Sequence, residues 1–161
     1  MNIGIGIEEY RNTPVGLAKF SYLSDPDTQF DTRGVYHVSI EYNEDEVKED
    51  IQAIEETIKK KIAKISKAKP GGALVKRAPL PYVKENGKVV MKFKSKFKPK
   101  IWDKDGKHFN EEKSIYKGST MSIKYKLNAY DQSIGVGCSL YLLHCKIINL
   151  VESSEEDKCP L

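Results

Sequence analysis

Few of the residue types that carry chemistry are present, and none is arranged for it. The 161 residues include three cysteines (Cys138, Cys145, Cys159) and three histidines (His37, His108, His144). The cysteines form no CxxC pair and the histidines are scattered, so a four-ligand zinc site is not expected. Idle or buried thiols in a reducing compartment are. GxSxG, P-loop and HExxH motifs are missing. Asp103-Lys104-Asp105-Gly106 opens like a calcium loop, but the later ligands are lacking and lysines intervene, so a β-turn is expected. Glu111-Glu112 has no histidine beside it. With no nucleophile–base constellation, the expectation is a non-catalytic protein with no cofactor and no metal. No run of 18 apolar residues could span a membrane. The start, MNIGIGIEEY, has neither a basic segment nor a long apolar one, so a secretory signal is not expected.

What is present is charge, unevenly placed. The net formal charge is only +4. Residues 1–58 carry 4 bases and 13 acids, residues 59–126 carry 21 bases and 5 acids, and residues 152–161 carry 1 base and 4 acids. A near-neutral chain thus holds one strongly basic stretch and an acidic end. This asymmetry points to a polyanionic partner.

Periodicity separates the elements. Residues 15–23 can form a strand, and residues 34–42 (GVYHVSIEY) alternate, with Val35, His37 and Ser39 on one side and Tyr36, Val38 and Ile40 on the other. The period then changes: Val47, Ile51, Ile54, Ile58, Ile62 and Ile65 make one helical stripe. Asn43 and Glu46 resemble an N-cap pair. Acids crowd the first turns and lysines the last, which suits the helix dipole, so part of the charge segregation needs no ligand. A helix over about 44–68 is predicted, stopped by Lys69-Pro70-Gly71-Gly72. Residues 73–87 read as a long, proline-marked connection. In KVVMKFKSKFK (88–98), Met91, Phe93, Ser95 and Phe97 oppose Lys92, Lys94, Lys96 and Lys98. A hairpin turning at Lys104-Asp105-Gly106 follows. In residues 118–130, Ile123, Tyr125, Leu127 and Ala129 oppose Lys124, Lys126, Asn128 and Tyr130. Residues 135–151 are apolar on both faces and are expected to be the most buried strand. The result is a mainly β domain with one long helix.

Two strands therefore expose lysines on one face. A row of like charges is unfavourable unless the face is solvated or meets a polyanion, and a solubilising edge is the plain alternative. Lysines neutralise phosphates, and nearby aromatics stack bases. Trp102, Tyr130, Tyr36 and Tyr82 are candidates for stacking, with Lys76 and Arg77 as further cations. Strict alternation directs Phe97 to the core. These residues describe a nucleic-acid-binding β domain. An RNA-binding module and a protein whose basic face docks an acidic protein remain open, and a nuclease is a more distant reading.

Six segments, in order, carry a resemblance: RGVYHVSI (33–40), PLPY (79–82), VMKFKSKFK (90–98), KIWDKDGK (100–107), KGSTMSIKYKLNAY (117–130) and GVGCSLYLLHCKIINLVE (135–152). Together they resemble the single-stranded DNA-binding proteins of short-tailed, podovirus-type bacteriophages. The resemblance implies an OB-fold, a five-stranded Greek-key barrel with one long amphipathic helix, over residues 1–151, and a short acidic tail over 152–161. It implies DNA contacts from Arg33, from Lys92, Lys94, Lys96 and Lys98, from Lys100 of the hairpin, and from Lys124, Lys126 and Tyr130. It further implies coating of single-stranded DNA in phage replication, recombination and repair, in the cytoplasm of an infected bacterial host, with a homodimer as an open option. A phage DNA polymerase or helicase would be recruited through Glu152, Glu155, Glu156 and Asp157. The chain departs from the family in two places. Asp131-Gln132 follows Tyr130 where a second aromatic can stand, and the acidic end is short.

Overall fold

The structure, a computed structural model, describes residues 10–27, 34–68, 75–109, 115 and 118–151. Eight strands and one helix follow in order: β1 (Tyr10–Asn12), β2 (Gly16–Asp27), β3 (Val35–Asn43), α1 (Lys48–Ala68), β4 (Tyr82–Glu85), β5 (Lys88–Ser95), β6 (Lys100–Trp102), β7 (Thr120–Gln132) and β8 (Gly135–Asn149). A single 3₁₀ turn, Glu44–Val47, leads into α1.

The pairings close a ring. β2 pairs β3, β3 pairs β5, β5 pairs β8, β8 pairs β7 and β7 returns to β2. All are antiparallel except β5–β8, which is parallel. Five strands thus form a barrel, while β1, β4 and β6 extend it at the margins of β7, β5 and β8. A closed ring has no bare central edge to protect.

Alternation builds the inside. Val38 and Ile40 of β3, Met91 and Phe93 of β5, Ile123 and Tyr125 of β7, and Leu140 and Leu142 of β8 are all essentially fully buried. Phe93 and Tyr125 pack with ring centroids 5.1 Å apart, a tilted pair. The helical stripe joins the same core through Val47, Ile51, Ile54 and Ile58, with Ile62 against its edge. The Asn43 backbone N–H donates to Glu46 Oε1 at 3.1 Å, as the N-cap spacing predicts. One polar group is buried with this core. Asp50 accepts from Arg11 Nε at 3.0 Å and from the Tyr125 hydroxyl, tying β1, α1 and β7 together. Burial, and then that bond to Asp50, push the Tyr125 phenol well above its ordinary value.

Three sequence expectations change. The connection 73–87 contains β4, which forms a hairpin with β5 around Asn86 (φ 52°) and Gly87 (φ 76°). This is the Asn-Gly two-residue turn, whose two positive φ values match strand twist. β5 ends at Ser95, not at residue 98. Ser95 Oγ accepts the Phe97 backbone N–H at 3.0 Å, and the chain bends there. Finally, β8 is not apolar on both faces because both are buried. Lys124 pairs His144 but Tyr125 pairs Leu142, so Leu143 is an extra residue, a β-bulge. Buried positions are even-numbered before it (Cys138, Leu140, Leu142) and odd-numbered after it (Cys145, Ile147).

Ile54→Ala is expected to lower unfolding free energy by about 2–5 kcal/mol, since a fully buried side chain leaves a cavity between helix and barrel. Urea denaturation followed by circular dichroism measures it.

Candidate nucleic-acid interface

Because the odd-numbered residues of β5 and β7 are packed inside, their even-numbered lysines must point out. The strand register sets them in rungs. On β8, Tyr141 lies opposite Lys126 of β7 and beside Lys94 of β5. Past the bulge, His144 lies opposite Lys124 of β7 and beside Lys100 of β6. Each rung is a ring flanked by two lysines on neighbouring strands, which lie about 4.8 Å from it. β1 continues the first rung with Tyr10, opposite Lys126. The Lys124 ammonium sits 5.7 Å from the Tyr10 ring centroid, a cation–π contact.

Three open hollows adjoin along this face. The first, about 200 Å³, runs between Pro79-Leu80-Pro81 and Lys92, Lys94, Tyr130 and Ile134. The second, about 390 Å³, shares Lys94, Tyr130 and Ile134 with it and adds Lys96, Phe97 and Tyr141. The third, about 350 Å³, shares Asn128 and Tyr141 with the second and adds Tyr10, Lys126 and Leu143. Their shared walls make one track with cations along it and aromatic side chains in its floor and sides. A larger hollow of about 630 Å³ at the start of the helix is lined by Glu44, Asp45 and Glu46, the wrong sign for a polyanion.

The track is poor in counter-charge. Among the described residues, no acidic side chain pairs with Lys92, Lys94, Lys96, Lys100, Lys124 or Lys146, whereas Lys19, Arg77 and Lys84 elsewhere do have carboxylate partners. Desolvation in the hollow, and then nearby Lys92, hold the Lys94 ammonium below the usual lysine value. A bound anion would relieve both effects. Tyr130 is placed by what stands opposite it. It pairs Gly137, and a Cβ there would lie 2.6 Å from the Tyr130 hydroxyl oxygen and 3.0 Å from Ala78 Cβ. Only a residue without a side chain lets the ring lie across β8 at this point.

The expected site residues are placed as follows. Lys92, Lys94, Lys96, Lys124, Lys126, Tyr130, Lys100 and Trp102 share the outer face. Lys98 is exposed beyond the end of β5 and lines none of the three hollows. Lys76 is exposed, and Arg77 is committed to Glu55 on α1 at 2.9 Å, which holds that carboxyl below its usual range. Tyr36 has the parity of Val38 and Ile40 and pairs buried Ser95, so alternation takes it off the lysine face. Tyr82 is buried and donates to Glu55 at 3.0 Å. Arg33 and the acidic end, Glu152, Glu155, Glu156 and Asp157, lie outside the described residues.

Two features escape the alternation rule. Phe97 belongs by parity to the core, yet it is 75% exposed and lines the central hollow, because β5 stops two residues before it. Tyr141 lies in the strand read as buried on both faces. Ile134, at the β7–β8 turn, and Leu80 add exposed apolar surface beside them.

The chain matches no protein-family model, and no curated protein matches it in sequence. Its architecture does match. The gp2.5 single-stranded DNA-binding protein encoded by bacteriophage T7 aligns with a TM-score of 0.79 at 18% identity, over 95% of this chain and 98% of that one. The single-stranded DNA-binding protein from bacteriophage Enc34 aligns at 0.63 and 17%, over 93% and 87%. The same protein in complex with single-stranded DNA aligns at 0.60 and 17%, over 91% and 88%. The fold is OB-like. In this OB-like barrel the track crosses β5, β8 and β7, strands that meet side by side in the ring.

Phe97→Ala is expected to weaken binding of oligothymidylate by roughly 5- to 150-fold, the range for one lost base stack. The urea midpoint should hold, because the side chain is exposed. Fluorescence anisotropy of a labelled oligonucleotide reads the first, and denaturation reads the second.

Proposed function

We propose that this protein binds single-stranded DNA without sequence preference and coats it. The observation that carries the reading is the pair of lysine–ring–lysine rungs beside an aromatic-lined track, with no carboxylates pairing the outer-face lysines named above. Lysines supply sequence-independent affinity by releasing counterions from phosphates. Phe97, Tyr130 and Tyr141 supply π-faces that every base can use. A duplex keeps its bases stacked inside and cannot offer them to the track, so unpaired DNA is preferred and hairpins melt as they are coated. The fold shared with phage single-stranded DNA-binding proteins supports this reading.

The same proposal assigns the chain to phage DNA replication, recombination and repair, in the cytoplasm of an infected bacterial host. A DNA polymerase or helicase would be recruited through Glu152, Glu155, Glu156 and Asp157.

The test is a gel shift with single-stranded DNA, duplex DNA and RNA of one length at two salt concentrations. If the four rung lysines each neutralise one phosphate, affinity for single-stranded DNA should fall about 50-fold between 50 and 200 mM salt, from a slope of about −0.7 per phosphate. Comparable binding to duplex, or affinity indifferent to salt, overturns the reading. Tighter binding to RNA assigns the same track to RNA.

A further inference from the structure

The three histidines are far apart in sequence, but the fold brings two of them to one side chain. Trp102 of β6 donates its indole N–H to His144 Nδ1 at 3.0 Å. Its ring stacks on His108 with centroids 4.6 Å apart and planes at 28°, held there by the 103–107 turn and the Trp102–His108 bridge. The Asp103 carboxylate fastens that turn by accepting the backbone N–H groups of Asp105 and Lys107, each at 2.9 Å. Trp102 is therefore tethered on both sides instead of standing free to stack a base.

That tether fixes the state of His144. An indole N–H is a donor only, so Nδ1 must carry a lone pair, and the neutral ring keeps its proton on Nε2. The cations around it act in the same sense. Lys124 faces it from β7 and Lys100 from β6. Lys146 follows two residues along β8, level with Trp102. No carboxylate is among the charges that act on it. Burial, then Lys124 and Lys100, hold the imidazole below its ordinary value. A corner with this much positive charge and one neutral ring at its centre lacks an anion.

We propose that His144, with Lys124 and Lys100 on either side, forms a phosphate subsite on the single-stranded DNA path, and that occupying it draws a proton onto the ring. The proposal rests on the single-stranded DNA reading and adds to it a proton linkage and a role for the β6 corner. A phosphodiester set between the two lysines cancels the charges that disfavour imidazolium and accepts from Nε2–H. The incoming proton goes to Nδ1 from solvent and displaces the Trp102 hydrogen bond, so the indole is released as the anion arrives. The sign follows from linkage. Whatever raises the ring's proton affinity on binding must bind more tightly as pH falls through the bound-state midpoint, and by the same factor.

Trp102 is the single tryptophan, so it reports on this corner directly. Protonated imidazole quenches indole emission. The experiment titrates the emission of full-length H108Q protein from pH 8.5 to 4.5, with and without saturating oligothymidylate, while anisotropy of the labelled oligonucleotide monitors binding. The expected result is a quenching midpoint that moves up by about one unit when DNA is bound, matched by a roughly tenfold gain in affinity toward low pH. The double variant H108Q/H144Q should lose both the transition and the pH-dependent gain. Bound DNA with an unmoved midpoint overturns this subsite and leaves the broader reading standing. Failure of the oligonucleotide to bind at any pH overturns both.

Discussion

When β7 pairs β2 on one side and β8 on the other, each strand is committed to one parity. Phe93, Tyr125 and Leu140 go inward because burying that apolar surface is the dominant favourable term, worth about 25 cal/mol per Å². The intervening side chains then have nowhere to go but out. Lysines on neighbouring strands face a common surface as a by-product of core packing. Their mutual repulsion is small in water, about 1 kcal/mol per close pair, so the core can hold them there at a bearable cost. The interface is thus organised by residues that never touch a ligand.

The rest of the surface is treated differently. Lys84 meets Glu44, Lys19 meets Glu41 and Arg77 meets Glu55. The acids of the 3₁₀ turn and of the first turn of α1 gather at the end of β3, where they also suit the helix dipole. The net charge of +4 therefore averages a compensated surface and an uncompensated one. A polyanion meets the second.

Much of this was legible in the chain. The isoleucine stripe located α1 to within a few residues, because its 3.6-residue period runs unbroken. The lysine parity of β5 and β7 was equally plain, as was the turn at Lys104-Asp105-Gly106. What was hidden depended on where regularity stops. Phe97 reads as core only if β5 continues, and nothing local to Ser95 announces its end. Tyr141 and His144 sit on either side of a bulge, and a one-residue change of phase disguises an ordinary alternating strand as a doubly buried one. Pairing between His108, Trp102 and His144 is a tertiary fact, set by a parallel contact between β6 and β8 that spacing does not encode. β4 was signalled by Asn86-Gly87, but the prolines before it drew attention to the loop.

The bulge at Leu143 has a consequence for how this protein can vary. Removing that one residue would rephase the last part of β8, turning Cys145 and Ile147 toward water and His144 and Lys146 into the core. Side chains along this strand can be exchanged one at a time, each at its own modest cost. The number of residues between Leu142 and Cys145 cannot change without inverting the faces of everything that follows.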